Sequence, residues 1–238
     1  MNVLFQDDAL LVVNKPAGLS TLPDGYNPSL PHIKKVLEQQ AGPLWIVHRL
    51  DKETSGVLLL ARSSDAHRSL NTQFEKHQVS KVYHALVEGN PEWQEKTVSL
   101  PLRPNGDRHH RTVIDLQAGK PAVTHLKVLE RYAKYTLLEA VPETGRTHQI
   151  RAHLSILGLS IVGDKLYARR IDFQHKHKAH QSQQKNDPLI GLAVSMRLHA
   201  MSLEINHPLT GEKMKFTAPY PTEMLAILQH LRSSAFDG

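Results

Sequence analysis

What most limits the fold of this chain is the length and texture of its apolar runs. ALLVVN at 9–14, GVLLLA at 56–61, KVYHALVEG at 81–89, AVTHLKVLE at 122–130, YTLLEAV at 135–141 and LHAMSLEI at 198–205 are all strand-length. Several alternate polar with apolar residues, as half-buried antiparallel strands do. Between LHAMSLEI and KMKF the turn residues HPLTGE predict a hairpin. Four helices are expected. Residues 65–77 follow Ser63 and Ser64 as cap candidates and carry Ala66, Leu70 and Phe74 on one face. In THQIRAHLSILG, Thr147 can cap, Ile150, Leu154 and Leu157 form a stripe, and Gly158 sits at C′. A third spans 223–233 after Pro221 and Thr222, and PSLPHIKKVLEQQ at 28–40 is a fourth. Strands and helices mix without regular β-α alternation, so the expected class is α+β.

At 238 residues the chain can bury a core without staples, and one compact domain over 1–238 is the expectation. It has no cysteine, which excludes disulfides and thiolate metal sites and suits a cytoplasmic protein. No apolar run approaches the roughly 20 residues that span a bilayer, so no membrane partner is expected. The formal charge of +6 is uneven: residues 1–60 hold five Lys/Arg against six Asp/Glu, and residues 144–215 hold eleven against five. A polyanion such as RNA is the usual partner of such a surplus, and a solvated enzyme surface explains it about as well.

Residues 169–188, RRIDFQHKHKAHQSQQKNDP, read as a long polar surface loop. Its histidines 175, 177 and 180 have only Asp172 near them to complete a metal set, so no metal is expected. GLSIVGDK at 158–165 has the glycine spacing of a P-loop, yet Asp164 stands where lysine must meet phosphate and no Ser or Thr follows Lys165. G-x-G-x-x-G after a strand, G-x-S-x-G and H-E-x-x-H are all missing, and His148 and His153 fall on different sides of their helix. Nucleotide hydrolysis, serine-hydrolase chemistry and zinc chemistry lose ground.

Asp51 lies in HRLDKETSGVLLLA, flanked by Arg49 and Lys52 and followed by Thr54-Ser55-Gly56. Such an acid is either a structural turn residue or a carboxylate held for use, since Thr54 and Ser55 hydroxyls can bond the turn or the carboxylate. Tyr83, among Ala85 and Val87 on one strand face, is either core packing or a ring presented to a flat ligand. Arg151 sits about 90° round its helix from the middle of the apolar stripe. A guanidinium on that flank reaches the core edge and needs an acid partner.

These stretches, in this order, closely resemble the RluA family of RNA pseudouridine synthases. The resemblance runs through NKPAG at 14–18, HRLDKETSG at 48–56, KVYHALVEG at 81–89, GKPAVTHLKVLE at 119–130, TGRTHQIRAHLSILGLSIVGDKLY at 144–167, LHAMSLEINHPLTGE and FTAPYP. It implies the pseudouridine synthase core, a long, mainly antiparallel sheet with flanking helices and a central cleft. The family's catalytic aspartate falls on Asp51, the tyrosine that contacts uracil on Tyr83, and the arginine that pairs with the acid on Arg151. Arg49 resembles the arginine that fills the space left by the flipped nucleotide, and Leu198 is the candidate aliphatic residue under the base. His48, Thr54, Arg146, His148, Lys165, Arg169 and Arg170 are candidate substrate or RNA contacts. No room is expected for the S4 RNA-binding module of some relatives, and a monomer acting on tRNA or rRNA is the expectation.

The chemistry the resemblance implies breaks the bond from ribose C1′ to uracil N1, turns the base and joins C1′ to C5, and since nothing is oxidised no cofactor is expected. An ionised aspartate serves either as nucleophile or as base at the 2′ carbon. Arg151 would keep it charged and oriented. Tyr83 would stack on the detached uracil, its hydroxyl a candidate for taking the C5 proton. A glycosidase, with Glu53 as second acid, and a non-catalytic RNA-binding protein are the alternatives.

Overall fold

The computed structural model describes residues 2–23, 25, 27–168 and 195–234. The expected loop 169–188, with Arg169 and Arg170, lies outside them. The chain resolves into two compact units: Met1–His84, Ala140–Thr144 and Leu198–Tyr220 form the first, and Ala85–Glu139, Gly145–Arg197 and Pro221–Gly238 the second.

In the first unit the strands are β1 (Asn2–Gln6), β2 (Leu10–Lys15), β3 (Trp45–Ile46), β4 (Ser55–Ala61), the start of β5 (Ser80–Glu88), β11 (Leu198–Asn206) and β12 (Lys213–Thr217). Their order is β1-β2-β4-β11-β5, with β3 on β4 and β12 on β11. β4 carries seven consecutive buried residues because a strand covered on both faces needs no alternation. It pairs antiparallel with β2 and parallel with β11. The predicted hairpin closes β11 on β12, antiparallel from Ser202↔Thr217 to Asn206↔Lys213.

Two helices cover this sheet. α1 (Ile33–Ala41) starts later than sequence suggests, because Pro31 precedes an extended His32 whose Nδ1 accepts the Lys35 N–H at 3.3 Å. α2 (Ser64–Glu75) is capped by Ser63 and buries Ala66 and Leu70, as the spacing predicts. One apolar cluster joins Leu10, Val12, Val57 and Leu59 to α2 and Phe216; the other joins Leu11, Val13, Leu58 and Leu60 to Ile33, Leu37 and Leu50. The period of two along β2 and β4 thus feeds one cluster on each face.

The second unit contains the rest of β5, β6 (Glu95–Ser99), β7 (Leu102–Arg103), β8 (Val113–Ile114), β9 (Val123–Arg131) and most of β10 (Tyr135–Pro142), in the order β5-β10-β9-β6, with β7–β8 a separate pair. Among its described residues the helices are α3 (Gln149–Ile156) and α4 (Thr222–Ser234). Thr147 does not cap α3. His148 takes the N-cap position in a left-handed conformation (φ 52°) without a side-chain cap bond. α3 is also buried on more than the predicted stripe, since Gln149, Arg151, Ala152 and His153 are buried beside Ile150 and Leu154. Polar groups there are satisfied in series: Gln149 donates to Thr124 Oγ1 at 3.0 Å, and His153 bridges Thr124 Oγ1 and the Leu100 carbonyl. The α+β class and the mainly antiparallel sheet are as expected.

Gly56, the second residue of β4, has φ 112°, and a Cβ there would lie 2.2 Å from the Ala200 carbonyl oxygen of β11. Both the dihedral and the contact exclude a side chain. Gly56→Ala is expected to destabilise the protein by at least about 3 kcal/mol through forced separation of β4 from β11, measured by urea unfolding.

Candidate active site

Asp51 heads a tight turn in which the Thr54 N–H donates to the Asp51 carbonyl at 3.1 Å, immediately before β4. Asp51 is half-buried, Thr54 buried and Arg49 exposed. Thr21 Oγ1 donates to the Leu50 carbonyl at 2.9 Å and lies 3.3 Å from the Leu50 N–H. The Lys52 carbonyl accepts from Gly18 N–H at 2.8 Å and from Lys15 Nζ at 3.1 Å.

Lys15 is 0% exposed. Its Nζ also donates to the Pro16 and Leu19 carbonyls, at 2.9 and 2.8 Å, so an ammonium's three N–H groups are all used. Burial pulls its pKa down to about 8, and the negative charges of Glu53 and Asp51 oppose that shift. Sequence reasoning missed this residue. The signal was a lysine ending the buried run ALLVVNK just before Pro16, a position where a solvated lysine is out of place.

Tyr83, on β5, packs against the cluster that holds Leu50 and Ala200. Burial first, and the Asp51 charge second, raise its hydroxyl above the ordinary phenol range. Asp51, Tyr83 and Lys15 therefore share one electrostatic neighbourhood. A phenol held protonated donates hydrogen bonds, which makes it a poor base in the resting enzyme. Lys81, two residues before it, donates to the Thr144 carbonyl at 3.2 Å, and burial lowers its pKa to about 8. His48 serves the scaffold: Leu59 N–H donates to its Nε2 at 3.0 Å and its ring stacks on Phe74 at 5.0 Å. Burial, then Lys81, hold it neutral with a pKa of about 3. Leu198 is buried at the head of β11.

Arg151 lies in the second unit, and its acid partner there is Asp164, the residue that spoils the P-loop spacing. Nε and Nη2 meet Oδ2 and Oδ1 at 2.7 and 2.9 Å, a bidentate pair with both side chains under a tenth exposed. Asp164 also accepts the Leu166 and Tyr167 N–H groups, and Arg151 lies 4.9 Å over the Tyr167 ring. Tyr167 OH bonds both backbone groups of Thr112 and lies 3.3 Å from His148 Nδ1. Arg146 donates through Nε to the Pro121 carbonyl at 3.0 Å, and Lys165 is exposed. Among the described residues no group of three His, Asp or Glu side chains is placed to hold a metal ion.

The family described as RNA pseudouridylate synthase matches residues 9–156. The chain is 35% identical to a ribosomal large subunit pseudouridine synthase D of Zymomonas mobilis, covering 98% of this chain and 74% of that protein. It is 37% identical to the synthase D of Pseudomonas aeruginosa (98% and 72%) and 39% identical to the synthase C of Salmonella typhi (98% and 70%). The chain belongs to the RNA pseudouridylate synthase family. Among solved structures, human RNA pseudouridylate synthase domain containing 4 is similar with a TM-score of 0.75 at 28% identity, over 97% of this chain and 93% of that one. The RluA resemblance and the expected isomerase activity, uridine to pseudouridine in RNA, are borne out, and the glycosidase and non-catalytic alternatives fall.

Two outcomes are expected for this pseudouridine synthase. Asp164→Ala leaves a buried guanidinium without its carboxylate and should cost about 3–5 kcal/mol in chemical denaturation. Lys15, with a folded pKa of about 8 below its unfolded value of 10.5, binds fewer protons when folded between those values, so stability should rise with pH across that window. Lys15→Met should lower that slope by up to about 1.4 kcal/mol per pH unit in unfolding titrations.

Proposed function

We propose that this pseudouridine synthase modifies uridines of large-subunit ribosomal RNA, as a cytoplasmic monomer, with Asp51 as its catalytic acid. The observation that supports the assignment is that Asp51 heads a turn held at the Leu50 and Lys52 carbonyls by Thr21 and the buried Lys15, while Tyr83 packs on the cluster that contains Leu50, all within the first unit. The substrate class is supported by the printed names of the synthase C and D relatives.

The Asp51 carboxylate is presented from a turn fixed through the carbonyls on either side of it, so its reach varies little. It breaks the C1′–N1 bond by adding to C1′ or by taking the 2′ proton. Tyr83, held protonated, faces the detached uracil as a flat apolar surface with a donor at its edge. Arg151 is the third member by sequence resemblance, and its bidentate bond to Asp164 leaves it pre-oriented. Extruding the nucleotide costs roughly a few kcal/mol. Arg146 and the exposed Lys165 are proposed to offset this through phosphate contacts, and Arg49 to fill the space left by the flipped nucleotide; His48, Thr54, His148 and Leu198 are substrate candidates by the sequence resemblance alone.

Purified enzyme incubated with large-subunit rRNA and with tRNA should form pseudouridine, an isomer of unchanged mass, in the rRNA. Asp51→Asn should lower the single-turnover rate by at least about 1,000-fold with RNA binding within about threefold. An active Asp51→Asn would remove the acid assignment, and modification of tRNA alone would remove the substrate assignment.

A further inference from the structure

The first unit holds a hydrogen-bonded chain that the isomerisation chemistry does not use. Ser55 and His199 stand side by side in the parallel register of β4 and β11, with Ser55 Oγ 2.9 Å from His199 Nδ1. His199 Nε2 lies 3.1 Å from the Ala218 carbonyl, which only accepts, so Nε2 carries the proton. Nδ1 is then the lone-pair nitrogen, and the Ser55 hydroxyl donates to it. The far end is anchored too, since Ala218 N–H donates to the Met201 carbonyl at 3.0 Å.

A serine donating to an imidazole is also the arrangement of a nucleophile and its base. Here both residues are buried, His199 at 0% exposure, so no substrate reaches them. Burial moreover holds the imidazole at a pKa of about 4, too weak to take a proton at neutral pH. What the pair does is mechanical. Ser55 directly follows the Asp51-to-Thr54 turn and directly precedes Gly56, which has no clearance from Ala200. Lys15 and Thr21 hold the turn through the carbonyls of Lys52 and Leu50, and His199 holds its exit through a side chain.

We propose that His199 is a positioning residue for Asp51: the Ala218–His199–Ser55 chain fixes where the turn enters β4 and hence the reach of the carboxylate. This rests on the reading of Asp51 as the catalytic acid. A loosened turn misplaces the carboxylate oxygen, whether it adds to C1′ or takes the 2′ proton, without touching the surface that meets phosphate, so the chemical step slows while RNA affinity holds.

Ser55→Ala, His199→Phe, their double variant and His199→Asn are compared by single-turnover isomerisation and by RNA binding. Ser55→Ala and His199→Phe should each slow turnover about 10- to 100-fold with the RNA Kd within about threefold. The double variant should be no slower than the slower single one, because both remove the same bond. His199→Asn, whose Oδ1 can replace Nδ1 as acceptor, should recover about tenfold over His199→Phe. A folded Ser55→Ala enzyme at wild-type rate, additive losses in the double variant, or a slowdown explained by Kd would each overturn the proposal. Should the His199 variants fail to fold, Ser55→Ala alone decides it. An active Asp51→Asn enzyme in the same assay would sink the acid assignment, whereas an inactive one beside full-rate Ser55→Ala would sink only the positioning role.

Discussion

The approach of β4 to β11 at Gly56 and Ala200 leaves no space for even a methyl group, and that contact sets the origin from which the turn before it is measured. Because β4 is bordered by β2 on its other side, the residue where the chain leaves the turn is fixed laterally by two strands. Lys15 ends β2 opposite Gly56, and from there its ammonium reaches back to three carbonyls, one of them within the turn. A buried cation so satisfied is a rigid tripod, whose desolvation is offset only if all three acceptors stay where they are. The turn is consequently as ordered as the strands, although it is a loop by any local measure.

The second unit also buries a cation, with a carboxylate interposed between it and the backbone. Arg151 is buried on α3 and oriented by a bidentate carboxylate, which is in turn held by two backbone N–H groups one turn of chain later. Tyr167 adds its ring under the guanidinium and its hydroxyl to the Thr112 backbone, so that α3 and the 164–167 segment are fixed to the stretch that leads into β8. Each bond narrows the rotamers of a side chain with much freedom to lose, which is the entropic part of preorganisation.

Strands were the legible part of the sequence, because period-two patterning and turn residues are local signals, and all six predicted runs lie on strands. Four helices expected from the sequence are present among the described residues, but not every start was legible: Thr147 has the chemistry of a cap, yet the tight passage into α3 puts His148 there in a left-handed conformation. An acid in a turn, a tyrosine on a strand and an arginine on a helix flank drew notice to Asp51, Tyr83 and Arg151, but their local patterns left structural readings open and only the family resemblance implied roles for them. Lys15 and Asp164 stayed hidden for one reason. Their importance lies in contacts made over tertiary distances, and by local spacing one looked like a strand end and the other like a defect in a phosphate loop.

The sixteen histidines invite a reading as weak cations for RNA, and the interior argues otherwise for three of them. His48, His153 and His199 each bind with ring nitrogens to backbone or hydroxyl partners inside the fold, and burial lowers the pKa of each. A neutral imidazole offers one donor and one acceptor on a rigid ring, which lets it join a strand's backbone to a side chain without introducing a charge. Bonded to the backbone at Leu59, Leu100 and Ala218, these rings act as struts between elements. Those three rings are thereby withdrawn from the cations that could meet RNA, whereas an arginine or lysine at the surface carries a charge that salt screens.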